Sequence, residues 1–192
     1  MDKGLLIVYA GASGVGKGTV MKQLLSANDN FRLSVSATTR NPRPGEIDGV
    51  HYSFVTKDEF EQLINNDGLL EYASYCDNYY GTPKKAVFDM LANGIDVFLE
   101  IEIKGFLQIK EKYPDCVTIF LLPPSIEELE RRLKGRGTET EDVIEKRLKT
   151  AKSELTYANQ FDYTVINDDV EKAKNEIINI IANIKNERNK EN

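Results

Sequence analysis

Apolar residues fall along this chain in two alternating rhythms. Four short runs are almost continuously apolar: "LLIVYA" (5–10), "VFLEI" (97–101), "VTIFLL" (117–122) and "YTVI" (163–166). That pattern predicts strands buried on both faces of a parallel sheet. "FRLSVS" (31–36) is a further candidate. Helical patterns begin near Lys17, Pro83, Gly105, Ser125 and Asp169. Ser125 followed by Glu128 reads as a capping box, and the final helix places Ala173, Ile177, Ile180 and Ile184 on one face. Strand–helix alternation of this kind predicts an α/β fold, an open sheet with helices on both faces.

Two segments break the rhythm. From about 37 to 84 the chain turns to Pro/Gly turns ("NPRPGEIDG"), alternating runs ("HYSFV", "LLEYASY") and one short helix near 58–66. This reads as a small α+β insertion. From about 127 to 156 the chain is helical and highly charged, interrupted by "KGRGTETE", and the tail "KNERNKEN" reads as frayed.

Composition narrows the function more than the fold. At 192 residues, 41% hydrophobic and 29% charged, the chain suits one compact domain. A net charge of −6 disfavours a general nucleic-acid binder, so any cations meeting an anionic ligand must be concentrated locally. Cys76 and Cys116 form neither a disulfide framework nor a metal-ligand pattern. No apolar run suits a signal sequence or a membrane span, and the expected location is the cytoplasm.

The first strand runs directly into "GASGVGKGT", Gly11 to Thr19, which then opens a helix. Gly11, Gly16 and Lys17 match G-x-x-x-x-G-K, a spacing that chance alone supplies in about one chain of this length in twenty. The strand–loop–helix context distinguishes it from a plain glycine turn. Glycines let successive N–H groups face phosphate oxygens, the helix N-terminus adds positive potential, and Lys17 adds a full charge. The expected nucleotide contacts are therefore Gly11, Ala12, Ser13, Gly14, Val15, Gly16, Lys17, Gly18 and Thr19. Gly18 stands where the usual Ser or Thr would ligate Mg²⁺. The metal is expected to ride on nucleotide phosphates and water, with no protein ligand.

Arg40 and Arg43 flank a turn, with Tyr52, Tyr79 and Tyr80 further on. Guanidinium forks and phenol hydroxyls suit a phosphate monoester. Arg132, Arg136 and Arg147 lie in the charged helical segment. They read either as a lid closing over transferring phosphates or as solvated charge paired with Glu127, Glu128, Glu130 and Glu145. The single histidine, His51, supports no Ser/His/Asp or Cys/His constellation. If the acceptor is itself a phosphate, its second pKa of about 6 removes the need for a base.

Six motifs in this order, "GASGVGKGT", "SVSATTRNPRPGE", "NYYGT", "FLEIEIKG", "LKGRGTETEDVIEKRL" and "VINDD", closely resemble guanylate kinase over about 5–184. The resemblance implies a P-loop kinase core (1–36, 85–126 and 157–192), a GMP-binding insertion (37–84) and a helical lid (127–156). It implies transfer of phosphoryl from ATP to GMP with Mg²⁺, small-molecule partners only, and no membrane. Monomer and homo-oligomer stay equally open.

By the same resemblance Lys17, Arg43, Arg136 and Arg147 are catalytic. Arg132 and Asn167 line the adenine side. Ser36, Glu71 and Thr82 contact guanine, and Arg40, Arg43, Tyr52 and Tyr80 hold its phosphate. Glu100 and Glu102 stand where many relatives carry Asp, which leaves their roles open between the base and a metal-bound water. Without the resemblance, Glu71 in "LLEYASY" reads first as an outward residue of an alternating strand. Two other functions are weighed beside this one. The first is a peptide-binding scaffold module, disfavoured by the intact loop, the arginines and a chain that stops soon after the core. The second is a kinase for a different monophosphate.

Overall fold

The computed structural model describes residues 3–135 and 140–191. In chain order its elements are β1 (Leu6–Gly11), α1 (Lys17–Ala27), β2 (Phe31–Leu33), β3 (Ala37–Thr38), β4 (Ser53–Phe54), α2 (Lys57–Asn65), β5 (Leu69–Tyr75), β6 (Asn78–Pro83), α3 (Lys84–Ala92), β7 (Asp96–Glu100), α4 (Ile103–Lys112), β8 (Val117–Leu122), α5 (Ile126–Lys134), α6 (Glu141–Leu155), β9 (Tyr163–Ile166) and α7 (Val170–Glu191). The fold is α/β, with the four apolar runs forming strands of parallel pairs. Burial on both faces fails for β9, where only Val165 is buried and Tyr163 and Ile166 are exposed. Among the described residues no helix is long and apolar enough to cross a membrane.

The chain forms two compact units, one of Met1–Tyr9 and Asn30–Val117, the other of Ala10–Asp29 and Thr118–Asn192. In the first, β7 pairs in parallel with β1 (Leu6 with Val97) and with β2 (Phe31 with Asp96). Phe31 packs edge-on against Phe98 at 5.3 Å, and both rings are buried. A fully buried aromatic contributes about 1.5–3 kcal/mol. The strand foreseen at 31–36 stops at Leu33 because the chain leaves this sheet and enters a second as β3.

That second sheet, ordered β4-β3-β6-β5, is the predicted insertion. The β5–β6 hairpin turns at Cys76 and Asp77, both at positive φ (47° and 60°). The helix foreseen near 58–66 is α2, fixed by a capping box: Glu59 N–H donates to Thr56 Oγ1 (3.2 Å) and Thr56 N–H to Glu59 Oε2 (2.7 Å). Phe60 on α2 is fully buried and stacks on Tyr79 at 5.3 Å, with Ala37 and Leu69 completing a small core.

In the second unit β8 and β9 pair in parallel (Ile119 with Tyr163), and α7 packs on α1. The buried face of α7 is Ala173, Ile177 and Ile181, whereas Ile180 and Ile184 are half-buried. The contact ridge therefore follows the i, i+4 row, rotating the face slightly from the expected one. The tail is helical through Glu191, since "KNERNKE" holds good helix formers and no Gly or Pro to stop it. At α5, Ser125 Oγ accepts from Glu128 N–H (3.1 Å), but only half of the predicted capping box forms. The Glu128 carboxylate instead takes Arg131 Nε (2.7 Å) and Arg132 Nε (2.8 Å).

Candidate functional site

Each unit carries one recognisable site. In the first, a cavity of about 250 Å³ is lined by Ser36, Tyr52, Glu71, Tyr80, Glu100 and Glu102, with Gly105 at its wall. These residues come from β3's approach, β4's approach, β5, β6, β7 and the start of α4, and no sequence window contains them.

Glu71 lies where alternation does not put it. Strict alternation along "LLEYASY" would turn it outward with Leu69. Instead the β5–β6 register slips by one residue between Leu69 and Tyr72, so Leu69, Leu70 and Glu71 are all buried. A bulge re-aims the side chain that alternation would have sent to solvent. Glu71 Oε1 accepts from the buried Thr82 hydroxyl at 2.7 Å. Burial pushes the carboxyl pKa up; the hydrogen bond from Thr82 opposes this, and the charge of Glu102 adds to it.

Gly105, which the sequence does not single out, makes room for that carboxylate. A Cβ at 105 would lie 2.6 Å from Glu71 Oε2 and 3.1 Å from Cδ. Glu71 cannot swing away cheaply, being buried and tied to Thr82.

Beside the cavity, the Arg40 guanidinium lies 5.3 Å from the Tyr52 ring centre and 5.7 Å from that of Phe54. Tyr52 and Tyr80 meet edge-on at 6.1 Å. Arg40 is gripped by both oxygens of Glu46 at 2.9 Å each, and Glu46 also accepts from Arg43 N–H (2.6 Å). These bonds, Arg40 first, hold the Glu46 carboxyl down at about 2. Glu46 was missed in the sequence, although its place in "RNPRPGE" was a local signal. The Arg43 side chain is exposed. His51 is exposed too, its Nδ1 accepting from Ile47 N–H (3.0 Å), in line with a structural role.

The second site is the loop after β1. Gly16 caps α1 in the left-handed region (φ 97°), and a Cβ there would meet Asn167 Nδ2 at 2.7 Å. Only glycine suits both constraints. Lys17 Nζ donates to Gly11 O (2.7 Å) and Ala12 O (3.4 Å), folding back over the loop. Thr19 and Gly18 are exposed, and a Cβ at Gly18 meets nothing within 4 Å.

Arg132 and Asn167 meet at one carbonyl. Asn167 Nδ2 donates to Val15 O (2.8 Å), while Arg132 Nη1 donates to Val15 O (3.2 Å) and Nη2 to Asn167 O (3.0 Å). Asn167 Oδ1, buried, has no hydrogen bond among the described residues. Arg147 on α6 reaches Ser13 Oγ at 3.3–3.4 Å, and Ser13 N–H donates to Glu154 Oε2 (2.9 Å), another contact the sequence does not announce. The ordinary ion-pair reading does hold for Arg132, whose Nε pairs with Glu128 Oε1 at 2.8 Å beside its contacts to the loop. Arg136, expected beside Arg132 on a continuing helix, lies outside the described residues; α5 ends at Lys134, with Gly135 as its C-cap.

Comparison with known proteins identifies the family of the chain. The guanylate kinase family model matches residues 3–184. Guanylate kinase of Clostridioides difficile is 54% identical over 186 residues, covering 97% of this chain and 91% of that protein. Guanylate kinase of Lactococcus lactis is 54% identical over 180 residues, covering 94% and 88%. The crystal structure of guanylate kinase from Anaplasma phagocytophilum superposes with a TM-score of 0.75 at 33% identity, covering 95% of this chain and 86% of that one. The chain belongs to the guanylate kinase family.

Proposed function

We propose that this protein transfers the γ-phosphoryl group of ATP to GMP, giving ADP and GDP, by in-line displacement without a protein base. The observation that carries the choice of acceptor is Glu71, a buried carboxylate on a cavity of about 250 Å³. Guanine presents N1–H and N2–H₂ as adjacent donors, which one carboxylate accepts together. Adenine presents a lone pair at N1, and a site built for donors rejects such an analogue by about 10⁴ or more. Ser36, Thr82, Glu100 and Glu102 complete the base site in this reading. Arg40, Arg43, Tyr52 and Tyr80 take the GMP phosphate.

ATP is assigned to the loop Gly11, Ala12, Ser13, Gly14, Val15, Gly16, Lys17, Gly18 and Thr19. Arg132 and Asn167 border its adenine; Asn167 Oδ1, an acceptor, suits the exocyclic amine. Lys17 and Arg147 neutralise charge on the transferring group, and Arg136 is assigned the same part from the sequence. A GMP phosphate oxygen forms its bond to Pγ as the bond to the β–γ bridging oxygen breaks. That nucleophile is already deprotonated at neutral pH, so no base is needed. Mg²⁺ would be held by the nucleotide phosphates and water, since Gly18 offers no side-chain ligand, and would supply charge screening. A cytoplasmic location belongs to the same proposal.

The test is ADP formation from Mg-ATP with a panel of monophosphates. GMP alone should support rapid turnover. Comparable rates with AMP, CMP or UMP would sink the guanine assignment, and no turnover with any would sink the enzyme.

A further inference from the structure

Helix α6 meets Ser13 of the phosphate loop from two places. Glu154 Oε2 accepts the Ser13 N–H at 2.9 Å, and Arg147 Nε and Nη2 stand 3.4 and 3.3 Å from the Ser13 hydroxyl. Seven residues separate the two side chains, about two helical turns or 10 Å along the axis. They share a face of the helix, and their lengths let both converge on Ser13. Ile144 and Ala151, both buried, lie on the same face of α6, which also packs on α5. In a loop whose amides exist to meet phosphate oxygens, one amide is thus taken by a carboxylate of the chain itself.

We propose that Glu154 is a positioning residue for phosphoryl transfer. Its carboxylate fixes α6 against the phosphate loop, and so holds the Arg147 guanidinium beside the phosphates that the loop binds. The inference rests on the phosphotransfer reading given above. The two contacts differ in kind. The Glu154 bond is short and charge-assisted, suited to a permanent splint. The Arg147 contacts are long and weak, so the guanidinium can exchange the Ser13 hydroxyl for a phosphate oxygen while the helix stays in place. A carboxylate this near a triphosphate repels it, and its presence is explained by the positioning it provides.

Steady-state kinetics with Mg-ATP and GMP on Glu154→Ala, Glu154→Gln, Arg147→Ala and the Arg147→Ala/Glu154→Ala double variant tests this. Glu154→Ala should lower kcat by about tenfold or more, with KM for GMP within about twofold, since small misplacements of a catalytic group are costly. Glu154→Gln, whose amide oxygen can accept the same N–H, should restore kcat to within about threefold of wild type. In the Arg147→Ala background, loss of Glu154 should cost less than about twofold more, because both act through one guanidinium. Fully additive losses would overturn the proposal. So would a lower KM for ATP at unchanged kcat in both Glu154 variants, the signature of a carboxylate that merely competes with phosphate. Unchanged kcat with a lowered Tm would reduce Glu154 to a structural strut. A wild-type protein that fails to phosphorylate GMP would instead defeat the underlying reading.

Discussion

The cavity proposed to take the base and the loop proposed to take phosphate are built by opposite means. The loop is nine consecutive residues whose specificity lies in backbone N–H groups and one lysine, and most of it would survive side-chain changes. The cavity is built of side chains from five separated stretches of chain, and its key carboxylate depends on a bulge, a hydroxyl and the absence of a Cβ at 105. Phosphate is the same on every nucleotide, so a backbone cradle suffices. A base is told from other bases only by donors and acceptors placed one by one.

If the two sites are separable in this way, Lys17→Ala gives the largest effect. It removes the full charge from the loop and should lower kcat by about 10³-fold. The cavity does not contain Lys17, so calorimetric binding of GMP should be unchanged. Loss of GMP binding in this variant would mean that the two sites have been assigned the wrong way round.

The same contrast decides what could be read from sequence. The loop was legible because its chemistry is contiguous and its context, strand before and helix after, is local. The strand at 117–122 was legible because burial on both faces leaves a nearly continuous apolar run. The strand at 163–166 was legible from the same pattern although only Val165 in it is buried. Glu71 was legible only through family resemblance. Its own neighbourhood argues for solvent, and the one-residue slip opposite β6 is a pairing event that no single strand encodes. Gly105 looks like any helix glycine until Glu71 is placed against it. Glu154 looks like one more acid on a charged helix, since its partner is 141 residues away. Arg132 keeps the surface ion pair with Glu128 that its helix suggests, and its Nη atoms are drawn into the loop's support by the Val15 and Asn167 carbonyls.

A smaller effect probes the cavity alone. Burial raises the Glu71 carboxyl in the empty site, while guanine requires the anion. Affinity for the base is therefore complete above that raised value and falls as pH drops through it, by up to about tenfold per pH unit for one proton. The folding linkage has the same origin: as pH rises through the window between the ordinary and the raised value, Glu71 loses stability for the fold. Glu46, held down at about 2, does the reverse; its stabilisation is present above the ordinary carboxylate value and is lost as pH falls towards 2. Guanosine is the right ligand, because it lacks the phosphate that titrates near pH 6. Its affinity should weaken in acid with wild-type protein and be flat, and weaker, with Glu71→Gln. A slope that persists in Glu71→Gln would assign the titration to a different group.

The smallest effect lies within the loop itself, where the backbone should tolerate a side chain at one glycine and refuse it at another. Gly18 is the second residue of α1, exposed, with open space where a Cβ would stand. Alanine there restricts the unfolded chain and suits a helix better, so Gly18→Ala should add up to about 1 kcal/mol of stability. For a chain of this size that raises Tm by about 2–4 °C at most. The kcat should stay within about twofold, since no side chain at 18 is asked to hold the metal. Gly16→Ala should lose stability instead, because its left-handed φ of 97° and the Asn167 amide 2.7 Å from the new Cβ both oppose it. Thermal unfolding of the two variants side by side measures the difference. Equal tolerance at both positions would mean that the loop's shape does not depend on glycine where its backbone turns, and the contrast between a backbone-built cradle and a side-chain-built cavity would fail at its simpler end.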